Sequence, residues 1–261
     1  MKISIITPTF RRHNLLKKNY NIIKKVFLNN NLEWIILSEY GDSLTNNLIK
    51  TFDQRFVKHI VGYYKDNDKA FNVGVKHAIG DLLVIYGDDD FFYEDTFKIL
   101  RNKYKPNIKW FIGYGDYINS NFIKSRKFLT LIKVFLTKNF NKTLLLSLNY
   151  IMTPSIFFSR KEFVKLNGLT KKLKYGSDYI LWIKFCNKFT PFLINKFLSK
   201  VRFDNTTKTG TFDVKRYFVM LEAMHKEANS LLIKMMQSTS IILIVLINFI
   251  IKKIIRKFSF N

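Results

Sequence analysis

Over its first hundred residues the chain alternates short apolar runs with amphipathic stretches. Ile3 to Thr7 is rich in β-formers and closed by Pro8, the pattern of a buried strand. After a short loop, Leu16, Tyr20, Ile23 and Phe27 recur at helical spacing, with Asn14 placed to cap them. Trp34-Ile35-Ile36-Leu37 reads as a second strand, ending in the polar turn Ser38-Glu39-Tyr40-Gly41-Asp42-Ser43. Leu44 to Phe52 fits a short helix and Phe56 to Tyr63 a third strand. Lys69 to Ile79 predicts a helix on which Ala70, Val73, Gly74 and Ala78 form a face small enough to approach a sheet closely, stopped by Gly80. An apolar strand from Leu82 follows. Alternating strands and helices of this length imply a parallel sheet with helices on its faces.

The second half has a different rhythm. Trp110 to Ile118 reads as a strand, followed by an amphipathic stretch from Phe122 to Phe140 and an apolar run from Leu144 to Leu148. Thr153-Pro154-Ser155 precedes another strand, Ile156-Phe157-Phe158. Arg160 to Leu166 predicts a short helix ended by Gly168, and Gly176-Ser177-Asp178 opens a helix to about Lys188. Phe192 to Ile194 and Lys200 to Phe203 are expected as two further short strands, and Tyr217 to Lys234 as a helix. Met235 to Ile251 is 17 residues without a charge, followed by Lys252, Lys253, Arg256 and Lys257. A full membrane span needs roughly 20 apolar residues, so this run suits a buried helix, a membrane-dipping segment or a short span.

Composition narrows the classes. At 261 residues the chain can bury a full core, and 48% hydrophobic residues exclude global disorder. The single cysteine, Cys186, excludes an internal disulfide and speaks against a cysteine-built zinc site; its apolar helical setting predicts a buried thiol. His13, His59, His77 and His225 show no metal-binding spacing. The N-terminus leads straight into a strand, with too short an apolar core for a signal peptide, so a cytoplasmic location is expected. The net charge of +25 admits nucleic acid, an anionic membrane surface, or neither. No helix-turn-helix or RNA-binding signature accompanies it, and nucleic acid is not expected as a partner. From Tyr117 to Lys161 there is no acidic residue but eight Lys or Arg.

Against that background, Gly87-Asp88-Asp89-Asp90 stands out. Asp88 to Asp95 holds five of the 19 acidic residues of the chain. Three adjacent carboxylates need a compensating cation, and the end of a strand in an open α/β sheet is where ligands bind. A hard divalent metal with a phosphate-bearing substrate fits such a cluster. The alternative is an acidic N-terminus for the helix from Thr96, although a cap uses one aspartate, not three.

In order along the chain stand Pro8-Thr9-Phe10-Arg11-Arg12, the acidic turn after the second strand, Ala70-Phe71-Asn72-Val73-Gly74, Gly80-Asp81 and Gly87-Asp88-Asp89-Asp90. Thr153-Pro154-Ser155, Arg160, Gly168, Gly176-Ser177-Asp178-Tyr179-Ile180-Leu181-Trp182 and Val201-Arg202-Phe203 continue the series. Over residues 3 to 210 this resembles the family 2 glycosyltransferases. The resemblance implies a GT-A fold: an α/β, Rossmann-like mixed sheet flanked by helices, here with a C-terminal helical tail. It divides the chain into a nucleotide-sugar-binding half (1–110), an acceptor-binding and catalytic half (111–215) and a helical, apolar and basic tail (216–261) for which membrane association is the expectation. The sequence departs from the family in Ser38-Glu39, where two aspartates are common, in Arg11, in Ser177 and in Asp204.

The activity implied is inverting, metal-dependent transfer of a sugar from a nucleotide diphosphate, uridine diphosphate first, to a hydroxyl of a surface glycan or lipid-linked acceptor. Asp88 and Asp90 would hold Mn2+ or Mg2+, with Asp89 on the ribose or sugar side. Thr7, Pro8, Phe10, Glu39, Lys69 and Asn72 would line the donor site, four of them with a structural alternative: core for Phe10, turn chemistry for Glu39, a polar helix face for Lys69 and Asn72. Asp178 would be the general base, or a plain helix N-terminal acid. Asp116, Trp182 and Arg202 would serve the acceptor side or act as auxiliaries, with donor contact or a structural turn the alternatives for Asp116. The partners expected are the donor, the acceptor and an anionic membrane surface, with the protein peripheral at its inner face. A non-catalytic nucleotide-sugar or glycan-binding module of the same fold is the alternative function.

Overall fold

The computed structural model describes residues 1–27, 31–170, 173, 176–204 and 214–258. Its first half follows the expected alternation: β1 (Ile3–Pro8), α1 (His13–Phe27), β2 (Leu32–Glu39), α2 (Ser43–Lys50), β3 (Val57–Gly62), α3 (Asn67–His77) and β4 (Leu82–Ile85). The acidic loop then leads into β5 (Phe91–Phe92) and α4 (Thr96–Lys103). The second half comprises β6 (Trp110–Ile118), α5 (Lys127–Lys138), α6 (Lys142–Ser147), a 3-10 turn at Thr153–Ser155, β7 (Ile156–Ser159), α7 (Arg160–Lys165), α8 (Ser177–Lys188), β8 (Phe192–Arg202), α9 (Val214–Glu227) and α10 (Leu231–Phe258).

The eight strands form one sheet in the order β3-β2-β1-β4-β7-β6-β8-β5. The first four are parallel, as their pattern predicted, whereas β7 runs antiparallel to both β4 and β6, which makes the whole sheet mixed. Strand order reverses between β2 and β4 on either side of β1, so a crevice opens at the C-terminal ends of β1 and β4. Two departures from expectation have local causes. Residues 192–202 form one long strand rather than two short ones, because a register irregularity against β6 carries the polar stretch Asn195-Lys196 within it. Phe91 and Phe92 pair with Lys200 and Ser199, so the acidic loop runs from β4 to the far edge of the sheet.

Strand alternation feeds two cores. Ile3, Ile5, Trp34 and Ile36 face one with α1, α2 and α4. Ile6, Ile35 and Leu37 face the other, with α3, α6, α8 and parts of α9 and α10. The small face of α3 performs its expected part: a Cβ on Gly74 would sit 2.7 Å from Ile6 Cγ2 and 2.8 Å from Leu37 Cδ1.

The tail is less separate than its composition suggests. Ile233, Gln237 and Ile241 of α10 are buried, and Gln237 Nε2 donates to the Leu146 carbonyl at 2.9 Å. This i, i+4 stripe seats the first half of α10 on α6. The break expected nowhere between 217 and 234 falls at 228–230 and makes α9 and α10 a hairpin. No helix among the described residues is long and apolar enough to cross a membrane. The side chains of Lys252, Lys253, Arg256 and Lys257 lie outside the described set.

Candidate active site

Two cavities meet at the crevice beyond β1. The larger, about 580 Å3, is lined by the acidic loop Gly87–Asp90, by Thr153 and Asp178, and by Arg12, Lys133 and Arg202. The smaller, about 500 Å3, runs over the ends of β2 and β3 past Glu39, Gly41, Tyr63, Tyr64 and Asp66. Pro8, Thr9, Phe10 and Asn67 line both, so the loop after β1 is the partition between them.

The acidic loop is held from three sides. Asp88 is buried, and its carboxylate accepts from the Thr9 hydroxyl at 2.7 Å and from the Arg12 guanidinium at 3.0 Å. Arg12 also reaches Asp89 at 2.7 Å. The main-chain carbonyl of Asp88 accepts from Asn19 Nδ2, whose own oxygen takes the Tyr86 hydroxyl at 2.6 Å. Asp90 is buried, accepting from the Gly87 N–H at 3.0 Å and from the main chain of Arg202. Burial, then the charge of Asp89, pushes the Asp88 carboxyl up to about 6 despite Arg12 and Thr9. The same two causes, in the same order, raise Asp90 well above the carboxylate range. Arg12 alone therefore does not offset the cost of ionising both buried carboxyls together.

A divalent cation at the cluster would supply the charge that lets these carboxyls ionise together. Asp88 and Asp90 offer hard oxygens on the cavity wall, and each carboxylate oxygen keeps lone-pair capacity beyond its present bonds. Among the described residues no group of three or more metal-ligating side chains occurs. An ion would thus take most of its shell from substrate and water, as Mg2+ commonly does.

Asp178 lines the same cavity from a different element. It lies in the first turn of α8, where the helix dipole favours negative charge. One oxygen accepts the Thr153 hydroxyl at 2.6 Å and the other the Tyr179 N–H at 2.9 Å. Lys133 of α5 lines the cavity too; burial lowers its ammonium to about 8, against the opposing pull of Asp178.

The remaining candidates divide. Pro8, Phe10 and Glu39 line the smaller cavity, with Glu39 accepting from the Tyr64 and Lys65 N–H groups at 3.2 and 3.3 Å. Arg202 lines the larger one and pairs with Asp204 at 2.6 Å. Five residues line neither. Thr7 is fully buried, with its hydroxyl accepting the Trp34 indole N–H at 2.9 Å; Thr9, two residues on, reaches the site instead. Lys69 reaches the Tyr63 carbonyl at 3.3 Å. Asp116 is occupied by Lys124 and the Tyr93 hydroxyl, both at 2.6 Å. Asn72 clamps the loop after α7, giving to the Leu169 carbonyl and accepting from its N–H, each at 2.9 Å. Replacing Asn72 with alanine removes both bonds, and the expected loss is about 1–3 kcal/mol, read by urea unfolding. Trp182 is wholly buried and touches the site through Thr153, its indole N–H 3.5 Å from the Thr153 hydroxyl oxygen.

Arg12, Thr9, Asn67 and Lys133 were not singled out by the sequence. Arg12 carried a usable signal: the acidic cluster demanded a cation, and a basic pair follows the first strand. Lys133 carried none, because it lies off the apolar stripe of its helix.

No protein-family model matches the sequence. Among solved structures, TarS of S. aureus (residues 1–349), in complex with UDP-GlcNAc, superposes with a TM-score of 0.62 at 13% identity. The match covers 87% of this chain and 66% of that one. The mannosyltransferase PcManGT from Pyrobaculum calidifontis, in complex with GDP-Man and Mn2+, gives a TM-score of 0.64 at 14% identity, over 86% of this chain and 63% of that one. This chain has the GT-A glycosyltransferase fold. With that fold, the crevice at the ends of β1 and β4 and the acidic loop beside it stand where the sheet topology places a ligand. Among curated proteins, an uncharacterized glycosyltransferase of Rickettsia conorii is 27% identical over 225 residues, and one of Rickettsia felis 26% over the same length. In both cases the match takes in 84% of this chain and 36% of the relative, so the chain spans about a third of the length of these relatives.

Proposed function

We propose that this GT-A domain is an inverting glycosyltransferase that moves a sugar from a nucleotide diphosphate to an acceptor hydroxyl. The observation that carries this reading is one cavity with two separate carboxylate sets, Asp88–Asp90 on one wall and Asp178 on another, brought together from 88 residues apart or more. Paired roles need this separation. A proton acceptor must stay ionised and face the acceptor, whereas the diphosphate side must tolerate the charge of the leaving group.

The smaller cavity suits the nucleoside. Tyr63 offers an exposed ring, and Glu39 is fixed by two main-chain bonds at its wall. The uridine expectation agrees with the UDP-GlcNAc of the TarS structure, while the GDP-Man of the other shows that the fold takes a purine as well. The sugar and diphosphate would occupy the larger cavity, with Arg12 and Arg202 presenting cations to the phosphates. Asp88 and Asp90 would hold Mn2+ or Mg2+, which when bound offsets charge on the leaving diphosphate. Asp178 takes the proton of the attacking hydroxyl, and Thr153 fixes the orientation of that carboxylate. Attack from the side opposite the diphosphate inverts the anomeric centre. A glycan or lipid-linked acceptor at the inner face of a membrane is the reading for the acceptor.

A thermal-shift panel of UDP-GlcNAc, other UDP-sugars and GDP-mannose tests the donor side. At least one donor is expected to raise Tm with Mn2+, to lose that shift on chelation, and to lose it in Asp90→Asn. A panel in which no nucleotide sugar binds in a metal-dependent manner would remove the metal-dependent reading.

A further inference from the structure

The helix α5 carries its longest apolar stripe on the outside. Towards the protein it presents Thr130 and Thr137, both buried, Leu136, which packs against the core, and Lys133, which lines the larger cavity. The Thr130 hydroxyl has no hydrogen-bond partner among the described residues. Towards solvent it presents Phe128, Leu131 and Phe135, at 77%, 66% and 65% exposure, with Ile132 beside them. These positions, i, i+3 and i+7, form one stripe along the helix. Ile123, a turn before the helix, is exposed as well. A soluble helix normally buries such a stripe and solvates its lysines.

We propose that the outer face of α5 seats on an anionic bilayer surface. The charges beside the stripe choose this occupant. Lys127, Lys138 and Lys142 are exposed around it, and no acidic residue occurs between Tyr117 and Lys161. An apolar face rimmed by lysines is the pattern of an interfacial helix, whose rings enter the acyl boundary while its ammonium groups meet lipid phosphates. A second copy of the chain is disfavoured by the same charges. It would bring two proteins of +25 together through identical basic rims. Because Lys133 lies on the inner side of the same helix, the bilayer contact would lie one helix thickness from the cavity. A membrane-held acceptor could then reach Asp178 without leaving the surface; this last step rests on the proposed transfer activity, whereas the bilayer contact does not.

Flotation with vesicles of phosphatidylglycerol and phosphatidylcholine in equal parts, against phosphatidylcholine alone, tests the contact. The wild type is expected to float with the anionic vesicles. The triple variant Phe128→Gln, Leu131→Gln, Phe135→Gln keeps helix-forming side chains and should lose on the order of tenfold or more in partition. Its melting temperature should be unchanged. The charge variant Lys127→Glu, Lys138→Glu, Lys142→Glu leaves the stripe intact and should lose binding to anionic vesicles by a similar factor. This second variant decides the matter if the first fails to fold. A parallel variant of α10, Leu243→Gln, Leu246→Gln and Ile247→Gln, separates the two exposed helices. Undiminished flotation of both α5 variants, loss only in the α10 variant, or a concentration-dependent dimer that the glutamine variant abolishes would each overturn the proposal. Donor-induced thermal shift in the same variants reports on the nucleotide site alone, so failure of the membrane contact and failure of the transferase reading are distinguishable.

Discussion

Asp178→Asn is expected to lower the turnover of sugar transfer by a factor of about 10²–10⁴, the range lost with a general base. The substitution is nearly isosteric. Asp178 accepts hydrogen bonds from Thr153 and from the Tyr179 N–H through its two oxygens. An asparagine oxygen can keep the main-chain bond, and the first turn of α8 tolerates the loss of one charge at a cost of about 0.3–1 kcal/mol. What it cannot keep is a basic lone pair towards the cavity, because the amide nitrogen only donates. Donor binding, read as the thermal shift with nucleotide sugar, should therefore survive while transfer collapses. Single-turnover measurements with saturating donor distinguish this outcome from a folding defect. Transfer that continues at the wild-type rate would remove Asp178 from the proton-transfer role. A wild-type protein that binds donor yet transfers nothing would favour the non-catalytic binding module.

The parts of this site that the sequence made legible share one physical property: they sit where local pattern and tertiary burial agree. The strands β1, β2 and β4 are apolar on both faces, because two helical layers cover them, and continuous apolar runs expose them at once. Their ends are therefore visible, and with them Pro8, Glu39 and the acidic loop. Thr7 shows the limit of that reasoning. One residue from the visible end, it points to Trp34 rather than the cavity, since successive side chains leave a strand on opposite faces. Asn72 similarly faces the loop at Leu169, a contact across 97 residues that no local pattern encodes. Lys133 was hidden by the opposite problem. Phe128, Leu131 and Phe135 mark the face of α5 that would normally be buried, so a lysine off that stripe reads as solvated. In the structure the stripe is outside and the lysine inside. Arg12 was missed because the acidic cluster was matched with a metal ion alone, while the fold supplies a guanidinium as well.

Trp182→Ala should destabilise the protein by about 3–5 kcal/mol, the usual range for truncating a large aromatic side chain in a core. Trp182 is fully buried at the centre of an aromatic cluster. Its ring lies 6.4 Å from that of Trp110 in a stacked arrangement, and 5.2 Å from Phe158 edge-on. These neighbours belong to β6 and β7, so Trp182 joins α8 to the middle of the sheet. Alanine would leave a void between rigid partners that cannot collapse without moving α8. The same side chain stands behind Asp178. Its indole N–H points to Thr153, whose hydroxyl donates to the Asp178 carboxylate at 2.6 Å. At 3.5 Å the indole bond is weak, and packing is expected to outweigh it. Trp182→Phe separates the two contributions, because it retains much of the ring and removes the N–H. It should recover most of the stability, read by denaturant unfolding, and should lower turnover only modestly. If Trp182→Phe instead matched Asp178→Asn in turnover while melting near the wild type, the indole N–H would be positioning the base through Thr153. If Trp182→Ala cost less than about 1 kcal/mol, the aromatic cluster would not be the joint between α8 and the sheet, since even one deleted methylene in a packed core is felt at that level.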